Sequence, residues 1–204
     1  MNAPGRFTVQ AHPPGAEPLN APLFASLIER LQAAEERCIV LDLGPARTET
    51  LALFGQLRAR LDIVDLAESL DQFDDVDEPD VLRERAERLL PPRHGDGAHV
   101  VLCWDLLNYL KRPALSAFMT AVAERTRRGA FAHALIAYSS ARMSVKPGIF
   151  VPVDGQRLVN VSPPQAERDS PRYSPEDLAN CMHGYTVERA RLLRNGMQEF
   201  LFRL

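Results

Sequence analysis

Residues 38–44 read Cys38-Ile39-Val40-Leu41-Asp42-Leu43-Gly44. A continuous apolar run ended by glycine is the pattern of a strand buried on both faces, as in a parallel sheet. Upstream, Leu23, Leu27, Leu31 and Ala34 recur at helical spacing with polar residues between, which predicts a helix from Leu23 to about Arg37. Downstream, Thr48 stands where it can cap a helix carrying Leu51, Leu53, Phe54 and Leu57. Leu61 to Leu66 then reads as a second strand. Strand, helix and strand fit within about 30 residues, the size of a βαβ unit.

The pattern repeats further on. Val81 to Leu90 reads as a short helix stopped by Pro91 and Pro92. Ala98-His99-Val100-Val101-Leu102-Cys103 is a third buried strand, continued by Trp104-Asp105-Leu106-Leu107-Asn108-Tyr109. Pro113 sits in the first turn of a helix expected to run to about Arg128, with Gly129 closing it. Phe131 to Tyr138 is a fourth strand. Residues 139–175 hold six prolines and read as a long irregular segment with one short hairpin around Asp154-Gly155; such segments are often functional, and a substrate lid is the expectation. Ser174-Pro175-Glu176-Asp177 opens a short helix, with a serine cap, proline at the first position and acids in the first turn. Finally, Asn195-Gly196 between two strand-like runs, Tyr185–Leu193 and Met197–Leu204, is a strong hairpin signal.

The 204 residues carry 24 basic and 27 acidic side chains, a net charge of −3, and the pI is near 6.0. That balance gives no electrostatic case for nucleic acid or an anionic membrane as partner. No apolar run approaches the roughly 20 residues a membrane span needs. Residues 1–22, with five prolines, read as a flexible N-terminal arm without an apolar leader core, and 23–204 as one α/β domain. Cys38, Cys103 and Cys181 form neither a disulfide framework nor a zinc pattern, and fit free thiols in a reducing cytoplasm. Residues 65–80 hold eight carboxylates and no Lys or Arg. Their spacing matches no calcium loop, so the reading is a solvated acidic loop and no metal site.

Strands alternating with helices imply a doubly wound, mostly parallel α/β sheet, here ending in an antiparallel hairpin. Ligands of such sheets bind outside the carboxyl ends of the strands where strand order reverses. Asp42 to Thr48, Asp65 to Ala67, Trp104 to Tyr109 and the segment from Tyr138 onward would meet there. Asp65 follows Gly44 by 21 residues. A carboxylate at about that spacing can accept hydrogen bonds from both hydroxyls of a ribose, while glycine lets a ligand approach the backbone.

Val40-Leu41-Asp42-Leu43-Gly44, Asp65, the run from His99 to Leu110 and the closing hairpin, in that order, resemble class I S-adenosylmethionine-dependent methyltransferases over nearly the whole of residues 23–204. The resemblance implies a Rossmann-like fold, S-adenosylmethionine as cofactor and a small-molecule methyl acceptor. Carried over by position, Asp42 would order the methionine ammonium, and the backbone at Gly44 and Ala46 would pass beside the cofactor. Asp65 would hold the ribose. Trp104, Asp105 and Asn108 would line the methionine and sulfonium side, where carboxylate and aromatic faces stabilise a cation. Each of the last three has a second reading: Trp104 as core, Asp105 as cap of the following turn, and Asn108 bonding the backbone of that loop.

The chain also departs from the family. Asp42-Leu43-Gly44-Pro45-Ala46-Arg47-Thr48 keeps only the first of three glycines, and Ala46 would be strained if its position needs a positive φ. Arg47 adds a cation near a cationic ligand unless it points away or meets Glu49. The family's third strand, which normally brings the adenine contacts, is lacking or shortened between Asp65 and Ala98. These departures leave a second reading, a methyltransferase-like binding or assembly protein without catalysis. A nicotinamide-dependent oxidoreductase fails at two of its glycines, Ala46 standing in for one and Glu49 for the other. His133, Tyr138, Tyr173 and His183 are the candidate bases or substrate contacts.

Overall fold

The structure, a computed structural model, describes residues 17–93 and 95–204. In chain order its strands and helices are β1 (Leu19–Asn20), α1 (Pro22–Ala33), β2 (Cys38–Asp42), α2 (Thr48–Gly55), β3 (Ala59–Ile63), α3 (Pro79–Leu89), β4 (Ala98–Trp104), α4 (Arg112–Ala123) and β5 (Thr126–Ala137). Then follow β6 (Arg142–Ser144), β7 (Phe150–Pro152), β8 (Arg157–Asn160), β9 (Glu167–Asp169), α5 (Pro175–Cys181), β10 (Thr186–Leu192) and β11 (Met197–Arg203). Short 3-10 turns cover Ala67–Phe73 and Leu106–Tyr109.

Six strands form the central sheet in the order β10-β11-β5-β4-β2-β3. β3, β2, β4 and β5 run parallel, and the β10–β11 hairpin adds antiparallel to β5. The chain steps outward from β2 to β3, then crosses to β4 on the other side of β2. The order therefore reverses between β2 and β4, and their carboxyl ends frame a crevice. Between β3 and β4 the chain forms only the 3-10 turn and α3, so β3 is the sheet edge among the described residues.

Strand alternation divides the core. Along β4, Val101 and Cys103 pack with residues of α3, α4 and α5, while Val100, Leu102 and Trp104 pack with those of α1 and α2. Side chains alternate faces along a strand, so a sheet covered by helices on both sides is apolar throughout. Trp104 thereby falls on the α1–α2 face.

Several boundaries differ from the sequence reading. Residues 19–22 are part of the fold: Leu19–Asn20 pairs with β8, Ala21 is fully buried and Pro22 opens α1. The rest of the expected arm, residues 1–16, lies outside the described residues. The helix expected to reach Arg128 stops at Ala123, where the buried Arg125 donates to Ala121 O at the helix end and to Pro91 O and Glu87 from the end of α3. Gly129, with φ 77°, then lies inside β5 and caps no helix. α1 ends at Ala33, and α2 is preceded by Arg47, with Thr48 as its first residue and no side-chain cap. The second strand shifts to residues 59–63, leaving Asp65 beyond its end.

Residues 139–175 are less irregular than the sequence implied. The hairpin at Asp154-Gly155 is present as β7–β8, and β6 and β9 form a second ribbon. At the C-terminal hairpin, Gly196 has φ 81°, and an added Cβ would stand 2.3 Å from Ser139 Oγ. The positive φ favours glycine there, and a larger residue would also have to displace the Ser139 hydroxyl.

α1 is held by a device from the far end of the chain. Its first-turn amides, Leu23 and Phe24, donate to the two oxygens of Glu199 on β11 at 3.0 and 2.8 Å. Glu199 is fully buried, and its Oε1 also meets His133 Nε2 at 2.8 Å. A carboxylate at a helix N-terminus satisfies otherwise orphaned amides and complements the helix dipole.

Candidate functional site

The crevice between β2 and β4 begins with Asp42, the last residue of β2. Its Oδ1 accepts the Gly44 N–H at 3.0 Å and the Trp104 indole N–H at 2.6 Å. Burial pushes the Asp42 carboxyl up to about 6, against these two hydrogen bonds. Trp104, the last residue of β4, has φ 49°. That left-handed conformation is strained for a bulky side chain, by about 1–3 kcal/mol. The indole N–H bond to Asp42 and the Phe24 ring, 6.1 Å away between centroids, hold it there.

Gly44 is required by this arrangement. A Cβ on it would lie 2.7 Å from Trp104 Cδ1 and 2.8 Å from Nε1. The indole thus occupies the close approach that glycine offers a ligand. The family resemblance places the cofactor at that approach.

A cavity of about 530 Å³ opens from this point, walled by Gly44, Asp65, Trp104 and Asp105 on the sheet side and by Lys146, Gly148 and their neighbours on the other. Asp65 is exposed, and its Oδ1 accepts only the Ala67 N–H, at 3.2 Å. Asp105 is buried, and both its oxygens accept the Gly148 N–H at 3.0 and 2.9 Å. Desolvation pushes its carboxyl up to about 7, with those bonds opposing.

Three of the seven residues read from the sequence, Asp42, Ala46 and Asn108, do not line the cavity. Asn108 donates to Asp105 O and Leu135 O at 2.7 and 2.9 Å and accepts from Ala137 N at 2.9 Å. It bonds the backbone around its loop, the second of its two readings. Ala46 is exposed and away from the cavity, and it has no positive φ, so the expected strain does not arise. Asp42 is buried, with its Oδ1 bonded to Gly44 and Trp104 of the cavity wall. Arg47 does not line the cavity either; its Nε is buried without a partner among the described residues.

The candidate bases are dispersed. His133 is fully buried against Glu199, and Tyr173 is buried with its hydroxyl donating to Leu110 O. Tyr138 is half exposed and His183 exposed, and none of the four lines the cavity. Among the described residues no group of His, Cys, Asp or Glu is placed to hold a metal ion, and no helix is long and apolar enough to cross a membrane. All three cysteines are buried and free.

Sequence reasoning missed what ties residues 139–175 over the cavity. Tyr109, at the end of the motif after β4, donates its hydroxyl to Ser144 O and Lys146 O at 3.0 and 2.7 Å. Lys146 Nζ meets both oxygens of Glu68 at 2.9 Å. The composition did hold one signal. The chain has only two lysines, and both reach the acidic segment, since Lys111 donates to Asp74 O.

No protein-family model and no curated protein matches the chain. Solved structures do resemble it. An S-adenosylmethionine-dependent methyltransferase from Clostridium acetobutylicum is 13% identical with a TM-score of 0.52, over 89% of this chain and 91% of that one. The pyocyanin biosynthetic protein PhzM is 16% identical with a TM-score of 0.50, over 88% of this chain; the chain spans about half of PhzM, 53%. The 1,6-didemethyltoxoflavin N1-methyltransferase of Burkholderia thailandensis is 16% identical with a TM-score of 0.49, over 89% of this chain and 76% of that one.

Proposed function

We propose that this chain, which has the class I S-adenosylmethionine-dependent methyltransferase fold, binds S-adenosylmethionine at the β2–β4 switch point and methylates a small molecule held beneath residues 139–175. The observation that carries the reading is the 530 Å³ cavity at that point, with Gly44, Asp65, Trp104 and Asp105 in its wall. The donor set suits the nucleoside and the cation. Asp65 has acceptor capacity left for two ribose hydroxyls. The Trp104 ring and the Asp105 carboxylate favour a sulfonium, while Glu68 is already paired with Lys146. The fit at the methionine end is tight, because the indole already lies against Gly44 and holds Asp42.

S-adenosylmethionine supplies an activated methyl group on sulfur, transferred by a single displacement. Orientation and exclusion of water are then the main tasks left to the protein. Val145, Pro147, Ile149 and Pro163 give the cavity an apolar roof suited to both. Asp105, buried with a carboxyl near 7, has a proton affinity that suits a general base at neutral pH. A hydroxyl acceptor would need such a group.

Calorimetry with S-adenosylhomocysteine tests the reading. Binding in the micromolar range, weakened at least about tenfold by Asp65→Ala, supports it. Absence of binding at millimolar ligand overturns it. The second reading, a methyltransferase-like protein without catalysis, is favoured by the indole packed into the glycine approach. Protein purified without cofactor and unresponsive to S-adenosylhomocysteine would support that reading instead.

A further inference from the structure

The opposite end of the sheet carries a second cleft, of about 320 Å³, at the N-terminal ends of β2, β4 and β5. His99 in this cleft and Trp104 in the first cavity lie five residues apart on β4, about 17 Å along an extended strand. The cleft floor is apolar, from Leu27, Leu31, Val100 and Phe131. Its rim is cationic: Arg30, Arg127, Arg128 and Arg203. No acidic side chain lines it.

Most of this charge is uncompensated. Arg30 pairs with Glu188 at 2.8 Å, but Arg127, Arg128 and Arg203 have no carboxylate partner among the described residues. The residues outside that range contain no Asp or Glu to supply one. Glu36 and Asp96 act on His99 through charge, and neither lines the cleft. The Arg30 and Arg203 guanidinium groups stand 4.5 and 5.9 Å from the centre of the Phe131 ring. Stacking of this kind occupies a guanidinium face and leaves the N–H edge free for an oxyanion.

The contact between His99 and Arg127 points to the ligand. His99 Nδ1 accepts the Ile39 N–H at 3.1 Å. Burial and the Arg127 charge hold the ring pKa below its usual value, so the imidazole is neutral near pH 7. A neutral imidazole carries one N–H, and with Nδ1 accepting, that proton is on Nε2. Arg127 is donor-only, and its Nη1 lies 2.8 Å from Nε2. Two donors therefore face each other, and an acceptor oxygen drawing on both relieves the conflict.

We propose that this cleft binds a small organic anion with an apolar body. Its charged head is held by Arg127 and the His99 Nε2–H, within reach of Arg128 and Arg203, and its body lies on Leu27, Leu31 and Phe131. The ligand class is thus an aryl or alkyl carboxylate or phosphate, bound apart from the cofactor crevice.

The test is calorimetric titration of the full chain with phenyl phosphate, phenylacetate, inorganic phosphate and phenol. At least one of the first two is expected to bind about tenfold or more tightly than both inorganic phosphate and phenol. The tighter of the two identifies the head as phosphate or carboxylate. Arg127→Ala and Arg203→Ala, both at exposed positions, are each expected to weaken that binding about tenfold, as loss of a charge-assisted bond does. Arg88→Ala, on the outer face of α3, leaves it unchanged. Binding equal in the Arg127→Ala/Arg203→Ala double variant and the native chain overturns the proposal, as does no heat from either amphipathic anion at millimolar concentration. Nitrogen shifts placing the His99 proton on Nδ1 also overturn it. None of these readouts depends on binding of S-adenosylhomocysteine.

Discussion

The Trp104 indole donates to Asp42 Oδ1 at 2.6 Å, and both residues are buried. This bond, with the φ of 49° at Trp104, makes the tryptophan part of the site's resting geometry. Trp104 is the only tryptophan in the chain. Intrinsic fluorescence therefore reports on this one position. Titration with S-adenosylhomocysteine is expected to change its emission, because the methionine end competes for Asp42. A ligand that binds by calorimetry without any change in emission contradicts that geometry.

Trp104→Phe keeps the ring but removes the indole N–H. Asp42 then loses a partner while remaining buried, at an expected cost of about 1–3 kcal/mol in denaturant unfolding. The same variant is expected to bind S-adenosylhomocysteine more tightly, since the ring is then no longer bonded to Asp42. Unchanged stability would show that the bond contributes little.

Asp105 and Asp42 give the stability a pH dependence of defined sign. Both carboxyls are raised above the ordinary 3.8, to about 7 and about 6, with burial as the main cause. The folded chain therefore holds these protons more tightly than the unfolded one. Their stabilising contribution is fully present below about pH 4 and is lost as pH rises through 6 and 7. Asp105→Asn removes its share, so the stability of the native chain relative to this variant is expected to fall between pH 5 and pH 8. A difference that is flat over that window rules out the buried carboxyl as its source.

Gly148 ties the roof of the cavity to Asp105, and a Cβ there would stand 2.6 Å from Phe150 and 3.2 Å from Asp105 Oδ2. Gly148→Ala is expected to lower hydrogen-exchange protection across residues 145–149 while leaving β2 and β4 protected. Lys146→Ala removes only a solvent-exposed pair with Glu68. Its effect on global stability is expected to stay within about 1 kcal/mol.

Glu199 serves the N-terminus of α1 and His133 together. Glu199→Ala leaves two helix amides and an imidazole without their acceptor in the core. A loss of at least about 2 kcal/mol is expected by chemical denaturation, from buried groups left unpaired. A loss below about 1 kcal/mol would mean that α1 is held by its apolar face alone.

Much of this molecule was legible locally. The run 38–44 holds β2, the Asn195-Gly196 hairpin is present, and Ser174 caps its helix as expected, with Asp177 returning the bond. Such signals depend on a residue and its near neighbours, where strand burial, turn φ and capping leave their mark in the sequence. Gly44, Asp65, Trp104 and Asp105 were placed at one crevice because the fold fixes where strands end. Which of their atoms are free is a different matter. Asn108 is spent on backbone at Leu135 and Ala137, the Trp104 indole lies on Gly44, Tyr109 and Gly148 hold the roof, and Glu199 caps a helix 175 residues away. Hydrogen bonds and steric exclusion between distant segments decide those, and they exist only once the chain has folded. Local patterning sets the sheet and the location of the crevice; packing between distant segments sets what the crevice holds ready and what it has already used.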